Sequence, residues 1–190
     1  MTHFDSSASA EAVYDALANY QGPRFEDFPS VDLYMDQVVE LLNRWLSPLF
    51  FNQKTPCITA SMINNYVKTS IVHPPVKKKY TSYHLAYLYV VMILKQCFSL
   101  QEIASLITIY TEIGSSERIS SDFNRFTSSF ELLLHDVMQN GDTAVSIFQD
   151  PSWQQVLMVD VLRAAVCRLY GTYQIFRYTL EKDQTEREKK

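Results

Sequence analysis

From Leu41 to Gln101 the sequence contains neither aspartate nor glutamate. That stretch holds seven cations, Arg44, Lys54, Lys68, Lys77, Lys78, Lys79 and Lys95, while the rest of the chain carries ten cations against 21 carboxylates. The net charge of −4 therefore conceals a segregation. A basic block inside an acidic protein predicts one face that meets a polyanion. Glycine is also scarce, with four residues in the whole chain, and this excludes a glycine-rich phosphate loop. Few glycines combined with apolar residues at helical spacing predict a mostly α-helical fold.

The three cysteines, Cys57, Cys97 and Cys167, are far apart and odd in number, and no C-x-x-C pair occurs. A disulfide framework and a zinc site are thereby excluded, and buried thiols in a reducing cytosol are expected. No apolar run reaches the ~18 residues that span a bilayer. The opening MTHFDSSASAEAVYD has no basic n-region and no apolar h-region, so it does not read as a signal peptide, and a cytoplasmic protein is expected. Catalytic signatures are missing as well: there is no H-E-x-x-H and no G-x-S-x-G. His3, His73, His84 and His135 fall in separate elements, with His84 a surface or packing residue, and Cys97 reads as core. No enzyme activity, cofactor or metal is expected.

What is present is helical patterning over a chain that is 47% apolar. A short helix over residues 8–20, capped by Ser9 or Ser7, ends at Gly22-Pro23. Val31, Tyr34, Val38, Leu41, Leu42 and Trp45 predict a helix over residues 31–47 with Ser30 as its cap. Residues 48–57 form a loop with Leu49, Phe50 and Phe51 tucked inward. Thr59 caps a helix over residues 60–69, in which Met62, Ile63, Tyr66 and Val67 share one arc and Ser61, Asn64, Asn65 and Lys68 the other. Pro74-Pro75 forbids a helix, so a short hairpin with Lys77 to Tyr80 as its return arm is expected. Helices follow over residues 82–96 and 99–112, the second opened by the capping box Ser99-x-x-Glu102 and closed by Gly114. Ser120 or Ser121 starts a helix with Phe123, Phe126, Phe130, Leu133, Leu134 and Val137 on one side, closed by Asn140-Gly141. A short helical piece over residues 143–148 is expected next. Asp150-Pro151 then opens a long helix to about Glu181, apolar on more than one face.

The order helix, loop, helix, hairpin, helix, helix over residues 31–112 is that of a winged helix-turn-helix. The stretch TASMINNYVKTSIVHPPVKKKYTSYHLAYLYVVMILKQCFSLQEIASLI resembles the N-terminal half of MerR-type transcription regulators. Asn64-Asn65-Tyr66 stands where that family has a tyrosine pair, and Lys77-Lys78-Lys79-Tyr80 where it has an Arg-x-Tyr wing. Phe98 to Ile103 resembles its G-F-S-L-x-E-I turn. Three departures are visible, one being that the effector cysteines of metal-sensing members have no counterpart here, so a metal effector is not implied. The loop 48–57 replaces a tight glycine turn, and lysines replace the wing arginine, so bidentate phosphate contact gives way to point-charge attraction. A closer similarity is to a bacterial family designated domain of unknown function 1836. It shares M-I-N-N-Y-V-K (Met62 to Lys68), P-P-x-K-K-K-Y (Pro74 to Tyr80), the nearby His84, and L-Y-M-D-Q-V (Leu33 to Val38).

These readings predict a mostly α protein in three parts. Residues 1–30 form a helical leader, 31–112 a MerR-like winged helix-turn-helix with a short β-hairpin wing, and 113–190 a C-terminal helical region suited to dimerisation. The expected function is sequence-specific binding of double-stranded DNA by a homodimeric transcription regulator away from membranes. The alternative is a non-catalytic protein-interaction module that kept the fold without DNA binding. The DNA face would comprise Ser61, Asn64, Asn65, Lys68, Lys77, Lys78, Lys79 and Tyr80. Asparagine pairs with adenine edges, the alternative being that Asn64 and Asn65 cap or brace a turn; lysine neutralises phosphate, and Tyr80 would pack its ring under the wing while its hydroxyl reaches a phosphate.

Overall fold

A computed structural model of the chain describes residues 9–53, 55–111 and 118–188. Seven α-helices occur among them: α1 (Ala10–Ala18), α2 (Met35–Leu46), α3 (Ala60–Lys68), α4 (Ser82–Leu94), α5 (Leu100–Thr111), α6 (Ile119–Asn140) and α7 (Trp153–Glu188). The fold is mostly helical, and no strand is present among the described residues. The caps are local chemistry. Ser9 Oγ accepts from the Ala12 amide at 3.1 Å and Thr59 Oγ1 from the Met62 amide at 3.3 Å. Ser99 and Glu102 form the reciprocal pair, with the Ser99 amide donating to Glu102 Oε2 at 2.7 Å and the Glu102 amide to Ser99 Oγ at 3.3 Å. Gly141 closes α6 in the left-handed region, at φ 74°. Ser7, Lys54 and the Gly114 stop lie outside the described residues.

Four expectations about secondary-structure elements need correction. The helix expected from residue 31 begins at Met35, because Leu33 is claimed by a distant partner. The Leu33 amide donates to the Tyr80 carbonyl at 2.9 Å and the Tyr80 amide to the Leu33 carbonyl at 2.8 Å, so the backbone there is extended. Leu33 turns inward, Val31 and Tyr34 are left exposed, and Gln37 rather than Ser30 completes the cap by accepting from the Tyr34 amide at 2.9 Å. The β-hairpin wing is reduced to two isolated bridges, Val76 with Lys79 and Leu33 with Tyr80. The piece 143–148 is not helical: Arg163 donates to the Thr143 carbonyl at 3.1 Å and the Val145 carbonyl at 3.3 Å, satisfying acceptors that a helix would have used. The long helix opens at Trp153 rather than at Pro151, with Ser152 and Gln155 pairing across its first turn, and it continues past Glu181 to Glu188.

One connected core runs from Val13 to Tyr173. α6 and α7 lie along each other, and α1 packs against both. The expected stripe Phe123, Phe126, Phe130, Leu133, Leu134 and Val137 is buried. α4 passes through the middle, with nine of its thirteen residues buried, so no single amphipathic face is visible in it. Asn43 pins the loop after α2: its amide nitrogen donates to the Ile58 carbonyl at 2.8 Å and its oxygen accepts from the Ile58 amide at 3.2 Å. Leu49, Phe50 and Phe51 are thereby held inward, as expected. Cys57 is buried, and burial pushes its thiol up to about 11. Cys97 and Cys167, in contrast, are exposed rather than buried. No helix among the described residues is long and apolar enough to cross a membrane.

Candidate nucleic-acid interface

α3 is a nine-residue helix held by one side only. Ile63 and Tyr66 are buried, with Met62 and Val67 half-buried beside them. The opposite arc places Ser61, Asn64, Asn65 and Lys68 in solvent. This is the division that the spacing predicts. Tyr66 belongs to the anchor. Its hydroxyl lies 3.8 Å from Met92 Sδ and accepts from Lys95 Nζ at 3.2 Å, with the lysine also over its ring. Burial raises the Tyr66 phenol and lowers the Lys95 ammonium. Lys95 is the residue that spacing along α3 did not single out. It sits with Asn65, Ser99 and Leu100 around a shallow hollow of about 390 Å³ at the edge of the amide-bearing face.

After α3 the chain reverses twice. The Ile71 and Val72 amides both donate to the Tyr66 carbonyl, at 3.0 and 3.2 Å, and fold the segment back against the helix end. Pro74-Pro75 leads into a tight turn closed by the Lys79 amide donating to the Val76 carbonyl at 2.9 Å. The two central residues are Lys77 and Lys78, both left-handed, with φ 51° and 65°. Consecutive left-handed residues make this a primed turn, a place where Asn-Gly is the favoured pair. Lysine there is strained, by roughly 1–2 kcal/mol per residue. The turn exposes Lys77 and Lys78, while Lys79 leans over the Tyr34 ring with Nζ 5.5 Å from its centroid.

Tyr80 does not join this surface. It is 3% exposed, its backbone is bridged to Leu33, and its ring meets the edge of His84 at 5.5 Å. Its ring packs under the lysine turn, as expected, and its burial leaves the expected phosphate contact of the hydroxyl without an exposed surface. Of the two positions expected for His84, surface or packing, it takes the second: it is buried, and Thr81 donates its amide to His84 Nδ1 at 3.0 Å. Arg44, counted among the seven cations, is partly neutralised by Glu40 at 3.4 Å, an exposed pair of small energetic weight. No cluster of His, Cys, Asp and Glu that could hold a metal occurs among the described residues.

The segment that builds this face, from Pro23 through α2, α3, the lysine turn, α4 and α5 into α6, coincides with a family model, Domain of unknown function (DUF1836), matched over residues 23–126. The chain belongs to that family. No curated protein and no solved structure matches it. The DUF1836 region contains every residue of the exposed α3 arc and of the lysine turn, and it excludes α1, most of α6 and all of α7. A second concavity, a cleft of about 600 Å³ between α4, α5, α6 and α7 walled by Tyr83, Tyr87 and Tyr110, shares none of these residues.

Proposed function

We propose that the DUF1836 region is a double-stranded DNA reader of winged helix-turn-helix type and that the chain is a transcription regulator. The observation that carries this reading is the exposed arc of α3: Ser61, Asn64, Asn65 and Lys68 face solvent on a helix capped and anchored from behind, in a stretch without one carboxylate. A helix of this kind suits the major groove, where an asparagine side chain pairs bidentately with adenine. Lys68, Lys77, Lys78 and Lys95 supply phosphate contacts that fix the helix on the duplex without reading sequence. The lysine turn takes the part of a wing, with Tyr80 beneath it as a brace.

The test is binding of labelled duplex by fluorescence anisotropy across a salt series, after selection of bound genomic fragments. Replacing Lys77, Lys78 and Lys79 by alanine together weakens binding to all sequences alike. It also reduces the slope of log affinity against log salt by about one for each lysine that contacts a phosphate. Asn64→Ala or Asn65→Ala costs about 1–3 kcal/mol at the preferred site and relaxes one base position, with melting temperature unchanged. Salt-independent, sequence-blind or undetectable binding overturns the reading in favour of a protein-interaction module.

A further inference from the structure

α4 has no polar side, yet one of its sides is not fully buried. Tyr83, Tyr87 and Val90, at spacings of four and three, share one arc of the helix and are half-buried. A helix side left open to water ordinarily carries polar residues. α5 is unfinished in the same way. Of its residues 100–110 only Ile103 is fully buried, while Leu106, Ile107 and Tyr110 stay half-buried. Both arcs line the cleft of about 600 Å³, whose other walls come from the beginnings of α6 and α7. That volume falls among those of small-molecule sites, which are mostly apolar with a few placed polar groups.

The polar groups of the cleft are mainly donors and cations. Tyr83 and Tyr87 stack with ring centroids 4.6 Å apart, and the Tyr83 hydroxyl donates to that of Tyr87 at 3.0 Å. One hydroxyl proton satisfies this bond, so the pair keeps a second proton to donate. Burial, and then the bond to Tyr83, raise the Tyr87 phenol, which keeps it protonated. Tyr110 donates to the Gln154 carbonyl at 2.7 Å and ties α5 to the first turn of α7. Where α6 begins, Arg118, Asp122 and Arg125 line the edge of the cleft, and all three are exposed. Neither arginine forms an ion pair among the described residues. Two guanidinium groups against one carboxylate leave this edge positive, and a guanidinium matches a carboxylate through paired hydrogen bonds.

We propose that the cleft binds a planar aromatic carboxylate, with the ring against the Tyr83–Tyr87 pair and the carboxylate on Arg118 and Arg125. A flat ring suits the tyrosine wall better than a flexible chain, because offset stacking adds to the gain from burial. The site joins the DUF1836 region to α7, and it does not rest on the DNA reading, since it shares no residue with the α3 arc or the lysine turn. The test titrates 2-naphthoate into the full chain, with binding read by calorimetry and by the rise in melting temperature. A dissociation constant below about 1 mM is expected, with neutral 2-naphthol and aliphatic decanoate each bound about tenfold more weakly or worse. Arg118→Ala with Arg125→Ala weakens 2-naphthoate by about tenfold or more and leaves 2-naphthol unchanged. Both positions are exposed, so this variant keeps the fold. Val90→Trp fills the cleft from a half-buried position and abolishes binding of both naphthalenes. Absence of 2-naphthoate binding at about 1 mM overturns the proposal. So does decanoate binding as tightly as 2-naphthoate, or 2-naphthoate affinity indifferent to the loss of both arginines.

Discussion

Gly22 has no room for a side chain. A Cβ there would stand 2.5 Å from Tyr89 Oη and 2.6 Å from Thr127 Cγ2. Its amide donates to Glu131 Oε1 at 2.7 Å, and Arg24 closes on both oxygens of the same carboxylate at 2.8 and 2.6 Å. The contact fixes the chain between α1 and α2 against the middle of α6. Gly22→Ala therefore overpacks a buried polar cluster and lowers stability by roughly 1–3 kcal/mol, read as a lower melting temperature. His84 makes a second statement at this scale. Burial lowers its basicity from the usual 6.5, with His73 adding to the effect and the neighbouring Pro74 backbone and Asp32 opposing it. The fold favours neutral imidazole, so stability is full above pH 6.5, where the unfolded chain is also neutral, and falls as pH drops from 6.5 toward the lowered folded value. His84→Gln keeps an acceptor for the Thr81 amide and removes the titration. The loss of melting temperature between pH 7.5 and 5.5 is then smaller in the variant than in the parent; equal losses would exclude His84 as the cause.

The lysine turn is the element in which local preference and observed geometry disagree most. Lys77 and Lys78 are both left-handed, where lysine costs roughly 1–2 kcal/mol each. Strain of this size points toward a use for the side chains. Lys77→Asn with Lys78→Gly supplies the pair that such a turn prefers. The double variant is expected to melt higher and to bind duplex DNA more weakly, with a shallower salt dependence; a gain in stability with unchanged binding would separate the strain from DNA contact. The same element marks where sequence reading stopped. The caps at Ser9, Thr59, Ser99 and Gly141 were legible because each is set within one turn of helix. The two arcs of α3 were legible for the same reason. The start of α2 was not, since Val31 and Tyr34 fit a helical period and only the bridge from Leu33 to Tyr80, 47 positions away, decides otherwise. The depth to which Tyr80 is buried follows from the same non-local pairing, and residues 143–148 were misread because Arg163 reaches back from α7. Lys95 entered the candidate face through packing against Tyr66, for which spacing along the chain carries no signal.

At the scale of the whole molecule, the elements that carry the proposed DNA face cannot be lifted out of the rest. α4 is buried on nearly every side, and its central residue Tyr89 is the hub. The Tyr89 hydroxyl is 2.7 Å from that of Tyr20, its ring meets Phe123 at 5.6 Å, and burial with these neighbours raises the phenol well above its ordinary range. Phe28 likewise packs between Trp45 and Phe123, its ring tilted against both at centroid distances of 5.4 and 5.0 Å. Residues 31–112 contain α2, α3, the turn, α4 and α5, yet lack Tyr20, Phe28, Phe123 and all of α6 and α7. Excising them would expose a helix that has no polar face to offer water and would remove the partners that bury it. The full chain is expected to unfold in one step, with far-ultraviolet circular dichroism and the fluorescence of Trp45 and Trp153 giving the same midpoint. The fragment 31–112 is expected to show weak helicity and no cooperative transition. A sharp thermal melt from that fragment would mean that the DNA face has a core of its own, and that the contacts of Tyr89 with the flanking segments add only to its stability.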